Sequence, residues 1–204
     1  MKPQKQHQVT QIQEPHAPRL HTMHTDSKPF TPAHRGRPAS SPGAAQARLE
    51  TPLGPMTALA TEQGLAGLWF DGQKHHPGPL LVPEDPQHPT LQATARWLGA
   101  YWARAQDGGP APALDLSSGT PFQRAVWAAL LRIPPSATST YAAVAAAAGS
   151  PAAVRAAGAA IGRNPVSLVV PCHRVLGRGG ALTGYAGGLE RKHALLAHEG
   201  AIPA

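Results

Sequence analysis

The only cysteine of the chain, Cys172, lies within the sequence PCHRV at positions 171–175. The preceding residues, 166–170, are mainly apolar and β-branched, which predicts a buried strand that Pro171 would end because proline has no N–H for the ladder. The thiol would then lie at a strand end beside an imidazole and a guanidinium. Nearby positive charge favours the reactive thiolate, and a histidine can act as the base that generates it. A lone cysteine is more often a small buried hydrophobe, so the motif indicates a nucleophile only together with its surroundings.

Further motifs flank the cysteine in a defined order. They are RNP at 163–165, GRGG at 177–180, GYAGGL at 184–189 and LLAHEG at 195–200. This ordered set closely resembles the O6-alkylguanine-DNA alkyltransferases, also called methylated-DNA–protein-cysteine methyltransferases. The resemblance is specific from about residue 120 to 200, is weaker from about 49 to 119, and does not cover the first 46 or so residues.

The resemblance implies a DNA repair protein that acts once per chain. A cysteine thiolate takes the alkyl group from O6-alkylguanine in double-stranded DNA and keeps it as a thioether, which has no leaving group. O4-alkylthymine is left open as a second substrate. No cofactor and no metal are expected. Some relatives hold a structural zinc through cysteines in the N-terminal region, and this chain has none there.

The fold implied by the resemblance has two domains. The first, at 48–116, is an α/β scaffold of the ribonuclease-H-like type, with a small antiparallel sheet plus helices. The second, at 117–204, is mainly α and winged-helix-like, with a helix-turn-helix, and carries DNA binding and alkyl transfer. Residues 1–47 are rich in Pro, His and Gln. We predict a disordered tail there, because such a composition buries too little apolar surface to offset the entropy of ordering.

The residue pattern of the first domain favours strands followed by a helix. Every second residue from 56 to 60 is apolar, which predicts a strand, and residues 65–70 predict a second strand after a turn at 62–64. Apolar residues then recur at helical spacing over 91–102. The Pro-rich segment 75–89 between them is predicted to be a loop.

Capping residues divide the second domain into helices. Thr120 begins a capping box that predicts a helix with an apolar face through Leu131. A second, short helix is predicted over 141–149. Ser150 is expected to cap a third helix that ends near Ile161. Two short helices joined by a Gly-Ser turn are typical of a helix-turn-helix.

The charge of the chain is unevenly distributed. The net charge is +7. Residues 117–204 contain eight Lys or Arg and two acidic residues, whereas 48–116 contain four and seven. The tail at 1–47 has six basic and two acidic residues, which would add non-specific DNA affinity. Ordinary solvated surface is the alternative, but the coincidence of the basic half with the cysteine motif favours a nucleic-acid interface.

The resemblance also assigns residues to DNA and to the damaged base. The helix that begins near Ser150 would enter the minor groove, and Arg155 would take the place of the flipped base in the stack. The other candidate DNA contacts are Tyr141, Ala153, Ala156, Gly158 and Arg163, where small side chains allow close approach. The base pocket would comprise Tyr141, Val175, Tyr185 and Ala186, with Tyr141 as the donor to the departing guanine.

The thiol also needs a base. His173, acting through a water, and Glu199 form a relay similar in logic to the Ser-His-Asp triad. If Glu199 charges the imidazole, Cys172 should react as a thiolate below the ordinary thiol pKa of about 8.5. Asn164 is expected to hold the turn around the cysteine by side-chain to backbone hydrogen bonds. Arg174 either contacts phosphate or structures its own loop.

The composition also indicates in which cellular compartment the protein is located. No apolar run reaches the roughly 18 residues of a membrane span, and the polar first residues contain no apolar core of a secretory signal. A single cysteine cannot form an internal disulfide and fits a reducing cytoplasm. We therefore expect a cytoplasmic monomer without a membrane partner.

Two other function classes remain open at this stage. The first is a DNA-binding module that recognises alkylation damage or regulates transcription without repair, although relatives that only bind lesions lack the cysteine. The second is a Cys-His-Glu hydrolase, which would turn over many times on an ester or amide. The hydrolase explains neither the basic half of the chain nor the predicted helix-turn-helix.

Overall fold

A three-stranded antiparallel sheet begins the described part of the protein. The structure is a computed structural model, and it describes residues 43–104 and 110–203. The strands are β1 (Ala45–Leu49), β2 (Met56–Thr61) and β3 (Gly64–Phe70), hydrogen-bonded in that order. The apolar residues at every second position of β2 are fully buried, which confirms the strand predicted from their alternation.

Strand β1 begins inside the segment that we predicted to be a tail. Ala45 and Ala47 are buried in register with β2, so the tail boundary placed at residue 47 was wrong by a few residues. Alanine carries little apolar surface, so its alternation is a weak signal of a strand. The rest of the predicted tail, residues 1–42, lies outside the described residues.

Helix α1 (Pro89–Trp102) packs on this sheet. Leu91 and Leu98 are buried on its inner face, which confirms the helix predicted from their spacing. The segment 75–88 that leads into α1 contains neither a helix nor a named strand, as the Pro-rich sequence predicts.

Helix α2 (Pro121–Leu130) begins with the predicted capping box. The Thr120 hydroxyl accepts from the Gln123 N–H at 3.2 Å, and the Gln123 side chain accepts from the Thr120 N–H at 2.9 Å. The predicted apolar face extends one residue too far. The helix ends at Leu130, and Leu131 lies at the turn that follows, where its side chain is 45% exposed.

Two short helices follow, α3 (Tyr141–Ala147) and α4 (Val154–Gly162). Thr140 caps α3 as predicted, accepting from the Ala143 N–H at 3.1 Å. The prediction that Ser150 caps α4 was wrong, because α4 begins at Val154 without a side-chain cap. Residues 150–153 instead form a turn closed by a hydrogen bond from the Ala153 N–H to the Ser150 carbonyl. Ser-Pro fits the first two positions of such a turn as well as a helix start.

The last elements surround the cysteine. Strand β4 (Ser139–Thr140) pairs in parallel with β5 (Val175–Leu176), which directly follows the cysteine turn, and helix α5 (Leu189–His198) closes the described chain. None of the described helices is long and apolar enough to cross a membrane.

The two predicted domains share one hydrophobic core. Leu68 of β3 donates its N–H to the Pro165 carbonyl at 2.9 Å and accepts from the Ser167 N–H at 2.8 Å. One cluster of buried side chains continues from the sheet through α2 and α4 to the cysteine segment. The sheet therefore supports the segment that carries Cys172 directly.

The cap of α2 gives a stability prediction. Thr120→Ala should lower the free energy of unfolding by about 1 kcal/mol, because it removes the acceptor of an otherwise unsatisfied helix N–H. Ser150→Ala is the matched control and should change little, since the Ser150 hydroxyl does not cap α4. Urea denaturation of the two variants measures this difference. Equal losses would contradict the assignment of the caps.

Candidate active site

Cys172 begins a short 3-10 turn, Cys172–Arg174, and its side chain is nearly inaccessible, with the residue only 4% exposed. The Asn164 side chain organises the chain ahead of it. Its Oδ1 accepts from the Val166 N–H at 3.0 Å, and its Nδ2 lies 2.8 Å from the Val170 carbonyl. The same Nδ2 donates to the sulfur of Cys172 at 3.1 Å. The turn-holding geometry expected for Asn164 is therefore present, and it extends to the thiol itself.

The segment 166–170 is buried but is not the strand that we predicted. Only Val166 makes an isolated bridge, to Leu68, and the residues after it turn. Leu168 adopts a φ of 69°, and the Val170 N–H bonds back to the Val166 carbonyl. An apolar run indicates burial but does not distinguish a strand from a buried turn. The Asn164 side chain supplies the hydrogen bonds that a neighbouring strand would otherwise provide.

The predicted pair of His173 and Glu199 is in contact. His173 Nε2 lies 2.9 Å from Glu199 Oε1, and the imidazole is completely buried. A carboxylate can only accept, so Nε2 carries the proton of a neutral imidazole and Nδ1 keeps a lone pair. His173 Nδ1 makes no hydrogen bond to any described residue. This tautomer is the one required of a base that receives a proton at Nδ1.

Glu199 has two further donors that the sequence did not reveal. Arg174 forms a fork, with Nε 2.8 Å from Oε2 and Nη2 2.8 Å from Oε1. Its Nη1 donates to the Ile133 carbonyl at 2.6 Å. The hydroxyl of Tyr101, from α1, donates to Oε1 at 3.0 Å. Arg174 is therefore a buried partner of Glu199, which favours the alternative that it structures its own loop over a contact with phosphate.

Burial and hydrogen bonding decide the protonation states. Burial alone would raise the pKa of Glu199, but hydrogen bonds and charge from His173 and Arg174 lower it to about 2. Burial lowers the pKa of His173, with Glu199 opposing this effect. Burial raises the pKa of Cys172, with the Asn164 hydrogen bond and the charge of Lys192 opposing it. These directions favour a neutral thiol and a neutral imidazole at rest over the expected imidazolium–thiolate pair, which stays a prediction.

A cavity of about 410 Å³ opens at Tyr185, although Cys172, His173 and Glu199 do not line it. Three of the predicted base-pocket residues line it, namely Tyr141, Tyr185 and Ala186. Tyr185 connects the cavity to the relay, because its ring centroid lies 6.4 Å from that of His173. The fourth predicted residue, Val175, is fully buried in β5 and does not line the cavity.

Helix α4 forms part of the cavity wall. Gly158 faces the ring of Tyr141, since an added Cβ would lie 3.6 Å from it, and both residues line the cavity with Arg163. Arg155 and Ala156 are exposed on α4. Ala153 is the N-cap residue and not part of the helix body. Arg155 is thus the only long polar side chain on the body of α4, whose other exposed residues are small, and it does not line the cavity.

Sequence reasoning missed one buried cation and the contribution of the first domain. Lys192 of α5 has no exposed surface. Its position four residues before Leu196 places it on the apolar face of α5, which was the available signal. Lys74 and His75 also line the cavity, and the Lys74 N–H donates to the Ala186 carbonyl at 2.9 Å. No sequence pattern marked these two residues or Tyr101, because they lie far along the chain from Cys172.

Comparisons with known proteins agree on one family. The family model of the 6-O-methylguanine DNA methyltransferase DNA-binding domain matches residues 121–201. A methylated-DNA–protein-cysteine methyltransferase of Salmonella typhimurium is 61% identical over 84 residues, which are 41% of this chain and 49% of that relative. The chain therefore matches about half the length of the Salmonella relative.

Other matches extend over most of both chains. The protein of the same name from Mycolicibacterium paratuberculosis is 40% identical over 154 residues, 74% of this chain and 89% of that relative. The crystal structure of Mycobacterium tuberculosis O6-methylguanine methyltransferase has a TM-score of 0.68 at 38% identity and covers 79% of this chain and 96% of that one. The Mycobacterium tuberculosis protein OGT in complex with DNA has a TM-score of 0.66 at 37% identity, over 77% and 92%. On this identity and coverage, the chain belongs to the methylated-DNA–protein-cysteine methyltransferase family.

Proposed function

We propose that this protein repairs DNA by transferring the alkyl group of O6-alkylguanine to the sulfur of Cys172, once per chain. The observation that carries the proposal is a single buried thiol, held by Asn164 and followed directly in the chain by His173, which pairs with Glu199. The ring of Tyr185 links this pair to a cavity of about 410 Å³. Family membership and a solved relative in complex with DNA support this proposal. O4-alkylthymine remains an open second substrate. The thiol must stay reduced, which is the basis for proposing a cytoplasmic location.

The finer fold description is part of the same proposal. We assign residues 48–116 to a ribonuclease-H-like scaffold and 117–204 to a winged-helix-like domain. The three-stranded sheet with α1 supports the first assignment, and α3 and α4, separated by the turn at 148–153, support a helix-turn-helix in the second. Helix α4 would enter the minor groove, where its small side chains allow close approach.

The target base must leave the duplex before its O6 substituent can reach a buried thiol. Base extrusion costs a few kcal/mol, less for a damaged pair. Arg155, exposed on α4, would fill the vacated stack, and the cavity between Tyr141 and Tyr185 would receive the base. Arg163 lines the same cavity and would contact the DNA backbone beside the flipped nucleotide.

The chemistry follows from the neutral resting state. The thiol proton would pass through a water to His173 Nδ1, and Glu199 would stabilise the resulting imidazolium. The sulfur then attacks the alkyl carbon, so a C–S bond forms as the C–O6 bond breaks. Tyr141 would donate a proton to the departing guanine, and the proton on His173 replaces it through solvent. The thioether product has no leaving group, so each chain reacts once.

The nucleophile gives the first test of the proposal. Wild-type protein mixed with an oligonucleotide that contains O6-methylguanine should gain the mass of one methyl group on the peptide that contains Cys172. Cys172→Ser should gain none but should bind DNA as the wild type does, because the basic surface is unchanged. Intact-protein and peptide mass spectrometry measure this. Removal of more than one equivalent of methyl groups from the oligonucleotide per chain would contradict the single-turnover mechanism.

The role of Arg155 is tested by comparing two substrates. Arg155→Ala should slow transfer from duplex DNA by about tenfold or more, if its stacking supplies at least about 1.4 kcal/mol. Transfer from the free base O6-benzylguanine should be unchanged, because no base is flipped. Arg96→Ala is the charge-matched control, since Arg96 is exposed on α1. Equal losses on both substrates would remove Arg155 from the flipping step.

The pairing of His173 with Glu199 predicts how the rate of Cys172 alkylation depends on pH. Glu199 raises the pKa of His173 against burial, so Glu199→Gln should weaken the base and move the pH profile of Cys172 alkylation upward. A general base typically contributes about 10²–10⁴-fold, and the loss at neutral pH should lie within that range. The double variant with His173→Ala should lose little more than the worse single variant. Glu190→Gln, an exposed change in the first turn of α5, is the control. An unshifted profile in folded Glu199→Gln protein would mean that Glu199 only braces the C-terminal segment.

A further inference from the structure

The segment that follows β3 brings a cation to the cavity from outside the predicted DNA-binding domain. Lys74 and His75 line the cavity together with residues of α3 and α4. Both of these residues are exposed, whereas the cavity residues Tyr141, Tyr185 and Ala186 are half-buried. The exposed residues therefore lie towards the mouth of the cavity, and the half-buried ones form its inner walls.

Hydrogen bonds fix the main chain from which the Lys74 side chain extends. Gln73 is buried, and its Oε1 accepts from the Phe70 N–H at 2.9 Å and from the Ser167 hydroxyl at 3.2 Å. The Lys74 N–H donates to the Ala186 carbonyl at 2.9 Å. The main chain at Lys74 is thus held against a wall of the cavity, so its ammonium stays within reach of the mouth.

The charged side chains at the cavity are basic. Lys74 and Arg163 both line it, and none of the described residues that line it is acidic. Asp71, the acidic residue nearest to Lys74 in the sequence, is paired with Arg48 at 2.7 Å. The Lys74 ammonium makes no ion pair with a carboxylate within the described residues. A bound anion would therefore meet this ammonium without competition from a protein carboxylate.

A flipped nucleotide supplies such an anion at the mouth of the cavity. The nucleotide stays covalently attached to its strand, so its base enters the pocket while the two flanking phosphates remain outside. Lysine and arginine side chains bind these phosphates and release the counterions that had neutralised them. A phosphate at the mouth would meet Lys74 from the segment after β3 and Arg163 from the end of α4.

We propose that Lys74 is a DNA contact, which binds a phosphate next to the flipped nucleotide. The inference rests on the proposed function and extends its DNA interface beyond residues 117–204. The sequence did not indicate this contact, because residues 48–116 contain four basic and seven acidic residues. A phosphate contact carries no base specificity, so Lys74 positions the strand at the cavity and does not read the lesion.

The salt dependence of DNA binding tests for the contact. Cys172→Ser protein does not accept the methyl group, so its affinity for a duplex with O6-methylguanine can be measured at equilibrium. In this background, Lys74→Gln should weaken binding. Its affinity should also fall about 3.5-fold less than that of the parent between 50 and 200 mM salt, because one phosphate contact contributes about 0.9 to the slope of log K against log salt. Lys74→Arg keeps the charge and should keep the slope. Arg96→Gln is the matched control, since Arg96 is exposed on α1 and does not line the cavity.

Methylphosphonates, which replace one phosphodiester by an uncharged group, locate the contact on the DNA. Each oligonucleotide carries one of them, at a phosphate on the 5′ or the 3′ side of O6-methylguanine. At one of these positions the replacement should weaken binding of the parent as much as Lys74→Gln does. On that oligonucleotide Lys74→Gln should cause no further loss, because the residue and the phosphate form a single contact and their effects are not additive.

Two outcomes overturn the inference. One is a salt slope in Lys74→Gln that equals that of the parent, or that changes equally in Arg96→Gln, when both variants retain the melting transition of the parent. The other is a full loss from Lys74→Gln on every oligonucleotide with a flanking methylphosphonate, which would mean that the charge acts at long range. Methyl transfer to wild-type protein tests the proposed function separately. If the wild type accepts the methyl group while Lys74→Gln keeps the parent slope, only the inference is rejected.

Discussion

A buried carboxylate at the end of α5 holds the candidate active site together. The side chain of Glu199 is 3% exposed, and it receives hydrogen bonds from His173, Arg174 and Tyr101. Burying a charge costs several kcal/mol unless it is fully paired. Donors from the cysteine turn and from α1 meet that requirement together, so the carboxylate stays ionised. The position of the imidazole depends on this arrangement, because its Nε2–H has a single acceptor.

Burial shifts the pKa of the Cys172 thiol in the opposite direction from the environments that lower the pKa of a reactive cysteine. The low polarity around Cys172 raises its pKa, and the same burial lowers the pKa of His173. Both shifts favour the neutral forms of the two groups. A neutral, nearly inaccessible thiol reacts slowly with oxidants and other electrophiles, since the thiolate is the nucleophile. The Asn164 side chain donates a hydrogen bond to the same sulfur.

The sheet and α1 do more than support the segment that carries Cys172. The Tyr101 hydroxyl, on α1, donates a hydrogen bond to Glu199. The Lys74 N–H donates a hydrogen bond to the carbonyl of Ala186, which lines the cavity. Leu68 of β3 exchanges hydrogen bonds with the segment before the cysteine. The sequence of this domain by itself indicates no chemistry. Its contribution is positional, since main-chain and phenol groups from the sheet and α1 determine where the reacting groups lie.

Local sequence determined the features that depend on neighbouring residues. The capping box at Thr120 and the alternation along β2 each record a short-range requirement, and each was found where predicted. The same local signals misled at 150–153 and 166–170, because a Ser-Pro pair and an apolar run each fit two backbone conformations. Tertiary structure alone decided that Arg174 is buried against Glu199, that Tyr101 reaches Glu199 from 98 residues away, and that Lys192 donates to the carbonyls of Thr183 and Gly184. The reason is physical: the pKa of a buried group depends on which distant donors and charges surround it, and those neighbours exist only once the chain has folded.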